Sequence, residues 1–158
     1  MSNQRRVQTK VTTEMIKIGN NISSFSTYSY QPKTGDELKE IINSRVFMYG
    51  PNCDLNDIDT SLITDMSFLF YDSDFTGDIS KWNVSNVVNM KRMFTFSSFN
   101  GDISEWNVSN VLNMMKMFVL SKFTQDISKW KINKKCDTHD MCFCCDIKEE
   151  HKPKLLQK

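Results

Sequence analysis

The chain of 158 residues lacks several features that mark common classes of protein. Lys and Arg together number 20, and Asp and Glu 19, so the net charge of +1 provides no field of one sign to attract nucleic acid or an anionic membrane. No apolar run approaches the roughly 18–20 residues that a transmembrane helix needs. We therefore expect one domain with no nucleic-acid partner and no transmembrane segment.

A secretion signal is also missing from the sequence pattern. The first ten residues include basic side chains, but no apolar core follows them, as a signal peptide requires. Residence in the cytosol, export by another route and origin in a longer chain are all left open. Residues 1–30 are polar and predict an irregular N-terminal tail.

Residues for nucleophilic catalysis are scarce. The two histidines, His139 and His151, both lie near the C-terminal end. No Gly-x-Ser-x-Gly motif, Walker loop or glycine-rich dinucleotide turn occurs. We therefore expect a protein that is not an enzyme and that has no small-molecule substrate.

A 24-residue repeat dominates what is present. Phenylalanines begin three copies, and a tryptophan follows each at a constant distance. The text around Trp82 and Trp106 is nearly identical: Gly77-Asp-Ile-Ser-Lys-Trp-Asn-Val-Ser-Asn-Val and Gly101-Asp-Ile-Ser-Glu-Trp-Asn-Val-Ser-Asn-Val. Periods of 20–50 residues indicate a solenoid or array, whose units bury their apolar faces by stacking on their neighbours.

The repeat divides the chain into segments. A degenerate first copy covers 51–74, with Ile58 at the tryptophan position, and the later copies cover 75–98, 99–122 and a degenerate 123–146. Residues 31–50 form an N-terminal cap, in which Thr34 and Glu37 have capping-box spacing and predict a helix over 34–44. Residues 147–158 read as a charged C-terminal tail.

Two spacings within one copy predict two elements. Trp82 and Val84 alternate as in a short strand. Val87, Met90, Met93 and Phe94 have the spacing of one face of a short helix. We therefore expect an α/β repeat fold, a short solenoid of about four coils with one strand and one helix each.

The repeated text Asp-Ile-Ser-x-Trp-Asn-Val-Ser-Asn-Val-x-Asn-Met-x-x-Met-Phe resembles the BspA-like leucine-rich repeat proteins, a unit also catalogued as a domain of unknown function in mycoplasma surface lipoproteins. The resemblance covers about residues 31–130. It implies a right-handed solenoid of leucine-rich-repeat type, often at a bacterial cell surface, with adhesion or protein binding as its role. It supplies no catalytic residue, and it favours a surface or secreted location.

The repeated apolar residues predict a core rather than a ligand site. An exposed aromatic stripe for a peptide or glycan is the alternative, but each tryptophan lies in an apolar frame, and large aromatics dominate buried area. The predicted structural columns are Trp82, Trp106, Trp130, Met90, Met93, Phe94, Met114, Met117 and Phe118.

Two polar columns allow a structural and a functional interpretation. The asparagines at 83, 86 and 89 recur in the next copy, either as a binding face or as a ladder that bonds backbone groups. Aspartates recur at 54, 78, 102 and 126, either as calcium ligands between coils or as caps of backbone turns. We favour the structural interpretation in both cases. For the aspartates the reason is that one carboxylate per coil supplies too few oxygens for calcium.

Two outward columns vary between copies and are the predicted binding residues. Lys81, Glu105 and Lys129 share one column, while Lys91 and Met115 share another. A variable column on a fixed repeat is where a specific protein partner would be recognised, although sequence drift gives the same pattern.

The five cysteines do not suggest a disulfide framework, because Cys53 stands alone and the other four crowd one segment. The segment Cys136-x-x-His139-x-x-Cys142-x-Cys144-Cys145 combines thiolates and an imidazole, which suit zinc or copper(I). Redox chemistry and simple capping of the last coil are the other interpretations, and Cys142 aligns with Phe118.

Two functional hypotheses follow. The first is a non-enzymatic module for protein–protein interaction or adhesion, which needs no cofactor and presents a surface of the repeats. The second is a metal-binding or thiol-redox protein that acts through the C-terminal cysteines, with the repeats as a scaffold.

Overall fold

A computed structural model describes residues 28–157 of the chain. The helix α1 spans Gly35–Tyr49, and a short 3₁₀ helix spans Glu149–His151. The remainder of the described range consists of turns, bends and isolated parallel bridges between residues. Most of the predicted N-terminal tail, residues 1–27, lies outside the described residues.

Helix α1 begins directly after the residue that the capping box predicted. The Thr34 hydroxyl accepts a hydrogen bond from the Glu37 N–H at 3.2 Å, and the Glu37 carboxylate accepts one from the Lys33 N–H at 2.7 Å. Leu38 and Ile42 are buried. The helix runs past the predicted end at residue 44, and Gly50 stops it with a φ of 88°.

The predicted α/β fold is wrong. Between residues 28 and 157 there is no β-strand, and α1 is the only α-helix, so a leucine-rich-repeat solenoid of strand-and-helix coils is not present. Each 24-residue repeat is instead a loop of tight turns. The predicted strand at Trp82 and Val84 is replaced by two turns, in which Trp82 donates its N–H to the Ile79 carbonyl and Val87 donates to Val84.

The predicted helix that was to carry Val87, Met90, Met93 and Phe94 on one face is a run of overlapping turns. Met93, Thr95 and Ser97 donate to the carbonyl three residues earlier, at 3.2–3.3 Å. The N–H groups of the alternate residues donate to carbonyls of the next repeat. Met90 donates to the Asn113 carbonyl at 2.8 Å, and Arg92, Phe94 and Phe96 follow the same pattern. A helix would direct these donors to the fourth residue back, but here they join one repeat to the next.

Left-handed residues recur with the same 24-residue period. One column has φ between 52° and 59° and consists of Phe68, Arg92, Lys116 and Asp140. A second has φ between 51° and 58° and consists of Asp72, Phe96, Leu120 and Cys144. Since this conformation costs an L-residue on the order of 1 kcal/mol, the hydrogen bonds shared between repeats must offset it.

The repeats therefore stack in register over 51–146. Parallel bridges connect Asp65 to Asn89, Asn89 to Asn113, and Asn113 to Asp137. The register continues through the last copy, where Phe118 donates its N–H to the Met141 carbonyl at 2.8 Å. The backbone thus repeats even where the resemblance of side chains fades.

Aromatic columns form the core. Trp82 and Trp106 lie parallel with ring centroids 6.5 Å apart, and Phe94 and Phe118 lie 5.6 Å apart. The Trp106 indole N–H donates to the Ile79 carbonyl at 3.3 Å, which satisfies the polar atom of a buried ring. All nine residues predicted as structural columns are buried: Trp82, Trp106, Trp130, Met90, Met93, Phe94, Met114, Met117 and Phe118.

Both ends of the stack are covered. At the first repeat, Arg45 of α1 forms an ion pair with Asp57 at 3.0 Å. At the last repeat, the segment predicted as a charged tail lies against the core: Ile147 is buried, and Ile127 donates its N–H to the His151 carbonyl at 3.0 Å. In the described part of the chain no helix is long and apolar enough to cross a membrane.

Candidate functional surface

The aspartate column builds turns. Asp54, Asp78, Asp102 and Asp126 each accept a hydrogen bond from the N–H two residues on, at 2.8–2.9 Å. Burial alone would raise the pKa of Asp78, but the hydrogen bonds from Ser80 and Asn56 and the charge of Lys81 together lower it. The hydrogen bonds from Ser128 likewise lower the pKa of Asp126.

The asparagine columns bond backbone groups within and between repeats. Asn83 accepts from the Ser85 N–H at 3.1 Å, and Asn107 does the same one repeat later. Asn86 donates to the Ser61 carbonyl at 2.8 Å. The polar columns therefore hold the turns and the stack, and leave less of this face for a ligand.

The first predicted binding column lies in solvent. Lys129 and Glu105 form an ion pair at 3.7 Å with side chains 77% and 80% exposed, which is a weak contact at such exposure. Lys81 is exposed one repeat earlier, and its backbone N–H donates to the Asn56 side chain at 2.8 Å. This column is accessible but offers alternating charges rather than a continuous surface.

The second predicted column lies beside a surface that was not predicted. Lys91 and Met115 are half-buried, and they border a row of exposed apolar side chains on the same run of turns. We call this row the apolar edge; it comprises Phe68, Tyr71, Phe96, Leu120 and Phe143, which are 37–58% exposed. The ring centroids of Tyr71 and Phe96 are 5.8 Å apart, so the side chains touch across repeats.

Cations follow the apolar edge. The Arg92 guanidinium lies 5.9 Å from the Phe68 ring centroid, in cation–π geometry. The Lys39 ammonium of α1 donates to the Phe68 carbonyl at 3.1 Å. Lys116 lies 3.8 Å from Asp140. The cations therefore gather at the Phe68 end of the apolar edge, whereas Lys116 is paired with Asp140.

The sequence did contain a signal for this edge. Phe96 and Leu120 are apolar and occupy equivalent positions of successive repeats, yet they fall outside the helical face that Met90, Met93 and Phe94 were expected to form. An apolar residue off the predicted buried face, repeated at the period of the fold, indicates an exposed row.

The predicted cysteine and histidine cluster does not assemble as a whole. Cys136 points to the Asp137 carbonyl at 3.7 Å, and His139 lies 3.3 Å from its neighbour Asp140. Cys144 is exposed. Among residues 28–157 no group of three or more His, Cys, Asp or Glu side chains is placed to hold a metal ion. Zinc or copper binding therefore stays a prediction from the sequence.

Two members of the cluster do meet. The Cys145 thiol lies 3.2 Å from the Cys142 carbonyl, and a hydrogen bond from the Cys142 thiol lowers the pKa of Cys145 to about 7. The same hydrogen bond, together with burial, raises the pKa of Cys142. The five cysteines, including Cys53, are free thiols in this structure.

Comparison with known proteins agrees with the repeat. Residues 39–152 match the family described as "Mycoplasma protein of unknown function, DUF285". The match covers most of the chain, and the chain belongs to this family. Neither the curated proteins nor the solved structures contain a match.

Proposed function

We propose that the chain is a non-enzymatic module for protein–protein interaction or adhesion, and that its apolar edge binds a short extended segment of a partner protein. The observation that supports this is the set of five large apolar side chains left 37–58% exposed on successive repeats, in which Tyr71 contacts both Phe68 and, in the next repeat, Phe96. Single exposed apolar residues are common, but a contiguous row is typical of an interaction site.

The size of the row favours a segment over a folded domain. With side chains of this kind covering roughly 150–250 Å² each, the row exposes on the order of 500 Å². A standard interface between folded proteins buries about 800 Å² on each partner. Stacked backbones lie about 5 Å apart, so four repeats span roughly 15 Å, the length of about five extended residues.

The charges beside the row favour an acidic partner. The Lys39 ammonium and the Arg92 guanidinium both lie at Phe68, and the Phe68 N–H donates to the Lys91 carbonyl at 3.0 Å. Carboxylates of a bound segment would meet these cations while its apolar side chains cover the edge. Charge complementarity of this kind mainly adds specificity and speeds association.

The test is a selection from a library of random peptides on the full chain, followed by fluorescence polarisation of the selected peptides. The double variant Phe96→Asn, Leu120→Asn removes two residues of the edge. Asparagine tolerates the left-handed backbone that both positions adopt, so the variant should fold. We expect peptides rich in aromatic and acidic residues, and a loss of affinity of at least about tenfold in the variant.

The chain provides a matched control. Val88 and Leu112 are also apolar residues at equivalent positions of successive repeats, 41% and 44% exposed, but they lie outside the apolar edge. The variant Val88→Asn, Leu112→Asn should bind the selected peptides as the original chain does. Equal loss in both variants, or selection of peptides without acidic residues, would contradict the proposal.

A further inference from the structure

The fold itself brings Cys142 and Cys145 together. Phe118 and Ser121 occupy the same two positions one repeat earlier, where the Ser121 hydroxyl donates to the Phe118 carbonyl at 2.9 Å. In the last repeat the Cys145 thiol takes the place of the hydroxyl and lies 3.2 Å from the Cys142 carbonyl. The three earlier repeats have Phe and Ser in these columns, so both changes fall in one repeat and produce a pair of thiols.

The pair lies where the stack meets the C-terminal segment. Both side chains are half-buried and pack against the core, whereas the neighbouring Cys144 is exposed. The charged groups around the pair are Lys152, Glu149 and Asp146. Lys152 forms an ion pair with Glu149 at 2.6 Å.

These surroundings favour one thiolate. The hydrogen bond from the Cys142 thiol lowers the pKa of Cys145 to about 7, and the Ile147 N–H and the Lys152 ammonium act in the same direction. Burial and the Asp146 carboxylate oppose them. The thiolate is therefore favoured on Cys145 over Cys142.

We propose that Cys142 and Cys145 form a thiol–disulfide exchange site that reacts with small disulfides of the glutathione class. The Cys145 thiolate attacks one sulfur of the disulfide RS–SR, forming a mixed disulfide and releasing RS⁻. The Cys142 thiol then loses its proton and attacks the Cys145 sulfur, which closes the Cys142–Cys145 bond and releases a second RS⁻. The two cysteines lose two electrons and two protons, and RS–SR becomes two RSH.

The chemistry separates this pair from the other cysteines. Burial raises the pKa of Cys53 and of Cys136, so both are poor nucleophiles at neutral pH. Cys144 is exposed and does not pack against the core as Cys142 and Cys145 do. The exchange reaction uses neither the apolar edge nor its partner, so a failure of the proposed binding function would not affect this proposal.

The test exposes the reduced full chain to mixtures of oxidised and reduced glutathione at pH 7, stops the reaction with acid, and maps the products by mass spectrometry. We expect a single internal disulfide between Cys142 and Cys145. Glutathione should couple to Cys145 at least about threefold faster than to Cys53 or Cys136, since the higher thiolate fraction exceeds the loss in intrinsic nucleophilicity.

Three variants make the result decisive. Cys145→Ser restores the residue found in the earlier repeats, so it should fold, and it should form no internal disulfide. Cys142→Ser should stop at the mixed disulfide on Cys145, because the second thiol is missing while the serine hydroxyl can still donate a hydrogen bond to Cys145. Cys144→Ser should behave as the original chain does.

Other products would overturn the proposal. A dominant bond to Cys144, or an internal disulfide that persists in Cys145→Ser, would assign the chemistry to different thiols. Absence of glutathione on Cys145 in the Cys142→Ser variant would show that Cys145 is not the attacking group.

Discussion

The two interior repeats, 75–98 and 99–122, contrast with the last one, 123–146. The interior pair has nearly identical text around its tryptophans, whereas the last repeat replaces the motif after Ile132 with lysines and cysteines. The turn after Ile132 is displaced by one residue, but from Asp137 onward the backbone makes no such distinction. Lys116 donates its N–H to the His139 carbonyl at 3.0 Å, as Arg92 donates to Met115 at 3.0 Å.

The contrast shows that the turn geometry of the backbone is kept in the last repeat although its side chains differ. Left-handed residues at Asp140 and Cys144 continue columns that hold Arg92 and Phe96 in an interior repeat. Hydrogen bonds between repeats therefore impose the turn geometry on quite different side chains. Where the stack ends, fewer neighbours constrain a side chain, and cysteines can take the place of buried phenylalanine and serine.

The largest expected effect is on the free energy of unfolding. It distinguishes Phe94, in an interior repeat, from Cys142, which occupies the equivalent position in the last repeat. Phe94 is buried between Phe70 and Phe118, with ring centroids 5.5 Å and 5.6 Å away. Phe94→Ala should lower the free energy of unfolding by about 3–5 kcal/mol through lost contacts and a cavity. Cys142→Ala, at the equivalent position of the last repeat, should cost about 1 kcal/mol, since fewer buried atoms are removed. Urea denaturation of both variants measures the difference, and equal losses would contradict the contrast.

A smaller effect should separate two glycines at equivalent positions. A Cβ on Gly77 would collide with the Cys53 carbonyl oxygen, which is backbone and cannot move freely. A Cβ on Gly101 would meet the Phe99 ring at 2.8 Å, while its nearest backbone atom, the Gly77 oxygen, is 3.4 Å away. Gly77→Ala should therefore cost about 1–3 kcal/mol and Gly101→Ala less.

Thermal unfolding followed by circular dichroism is sufficient to rank these two glycine variants. The last repeat has Gln125 at this position, which shows that a side chain is tolerated there. If Gly101→Ala proved the more damaging change, the backbone contact at Cys53 would not be the cause.

The smallest expected effect is on the stability of the fold at low pH, and it depends on Asp65. Asp65 stands in one column with Asn89, and it accepts hydrogen bonds from the Ser67 N–H at 2.7 Å and the Asn89 amide at 3.0 Å. Burial raises the pKa of Asp65, but these hydrogen bonds outweigh it and leave the pKa lowered. The carboxylate therefore stabilises the fold above about pH 4, and the contribution is lost as the pH falls through the lower pKa of the folded state.

The variant Asp65→Asn isolates that contribution, because asparagine already fills the same position in the two interior repeats. Its stability should change less than that of the original chain between pH 5 and about pH 3, by on the order of 0.5 kcal/mol after solvent screening. Asp65→Ala is the control that loses the turn at every pH. Identical acid profiles for Asp65→Asn and the original chain would remove Asp65 from the explanation.

Period and burial could be predicted from the sequence, because both depend on which residues recur. The period of the repeat placed Trp82 and Phe94 in buried columns, and the capping box placed the start of α1 at Thr34. The asparagines and aspartates were assigned to turns because their short side chains bond nearby backbone groups in any compact fold.

The local conformation could not be predicted, for a physical reason. A buried residue every third or fourth position is produced by a helix and equally by overlapping turns, so Met90, Met93 and Phe94 do not distinguish them. The deciding residues are Arg92 and Phe96, whose left-handed backbone has no signature in their side chains. Hydrogen bonds to the next repeat select this conformation, and a local pattern does not contain them.

The one-directional stacking of the repeats has a consequence for amide hydrogen exchange. Each interior repeat touches the one before and the one after it, so opening it breaks two sets of bonds between repeats, while opening an end repeat breaks one such set together with the contacts to the segment that covers it. The N–H groups of Met90 and Phe94 should therefore exchange most slowly. Those next to Cys142 should exchange faster, since fraying starts at the ends. The dithiol thus sits in the part of the stack that opens most often, where a small disulfide can reach it without the core unfolding.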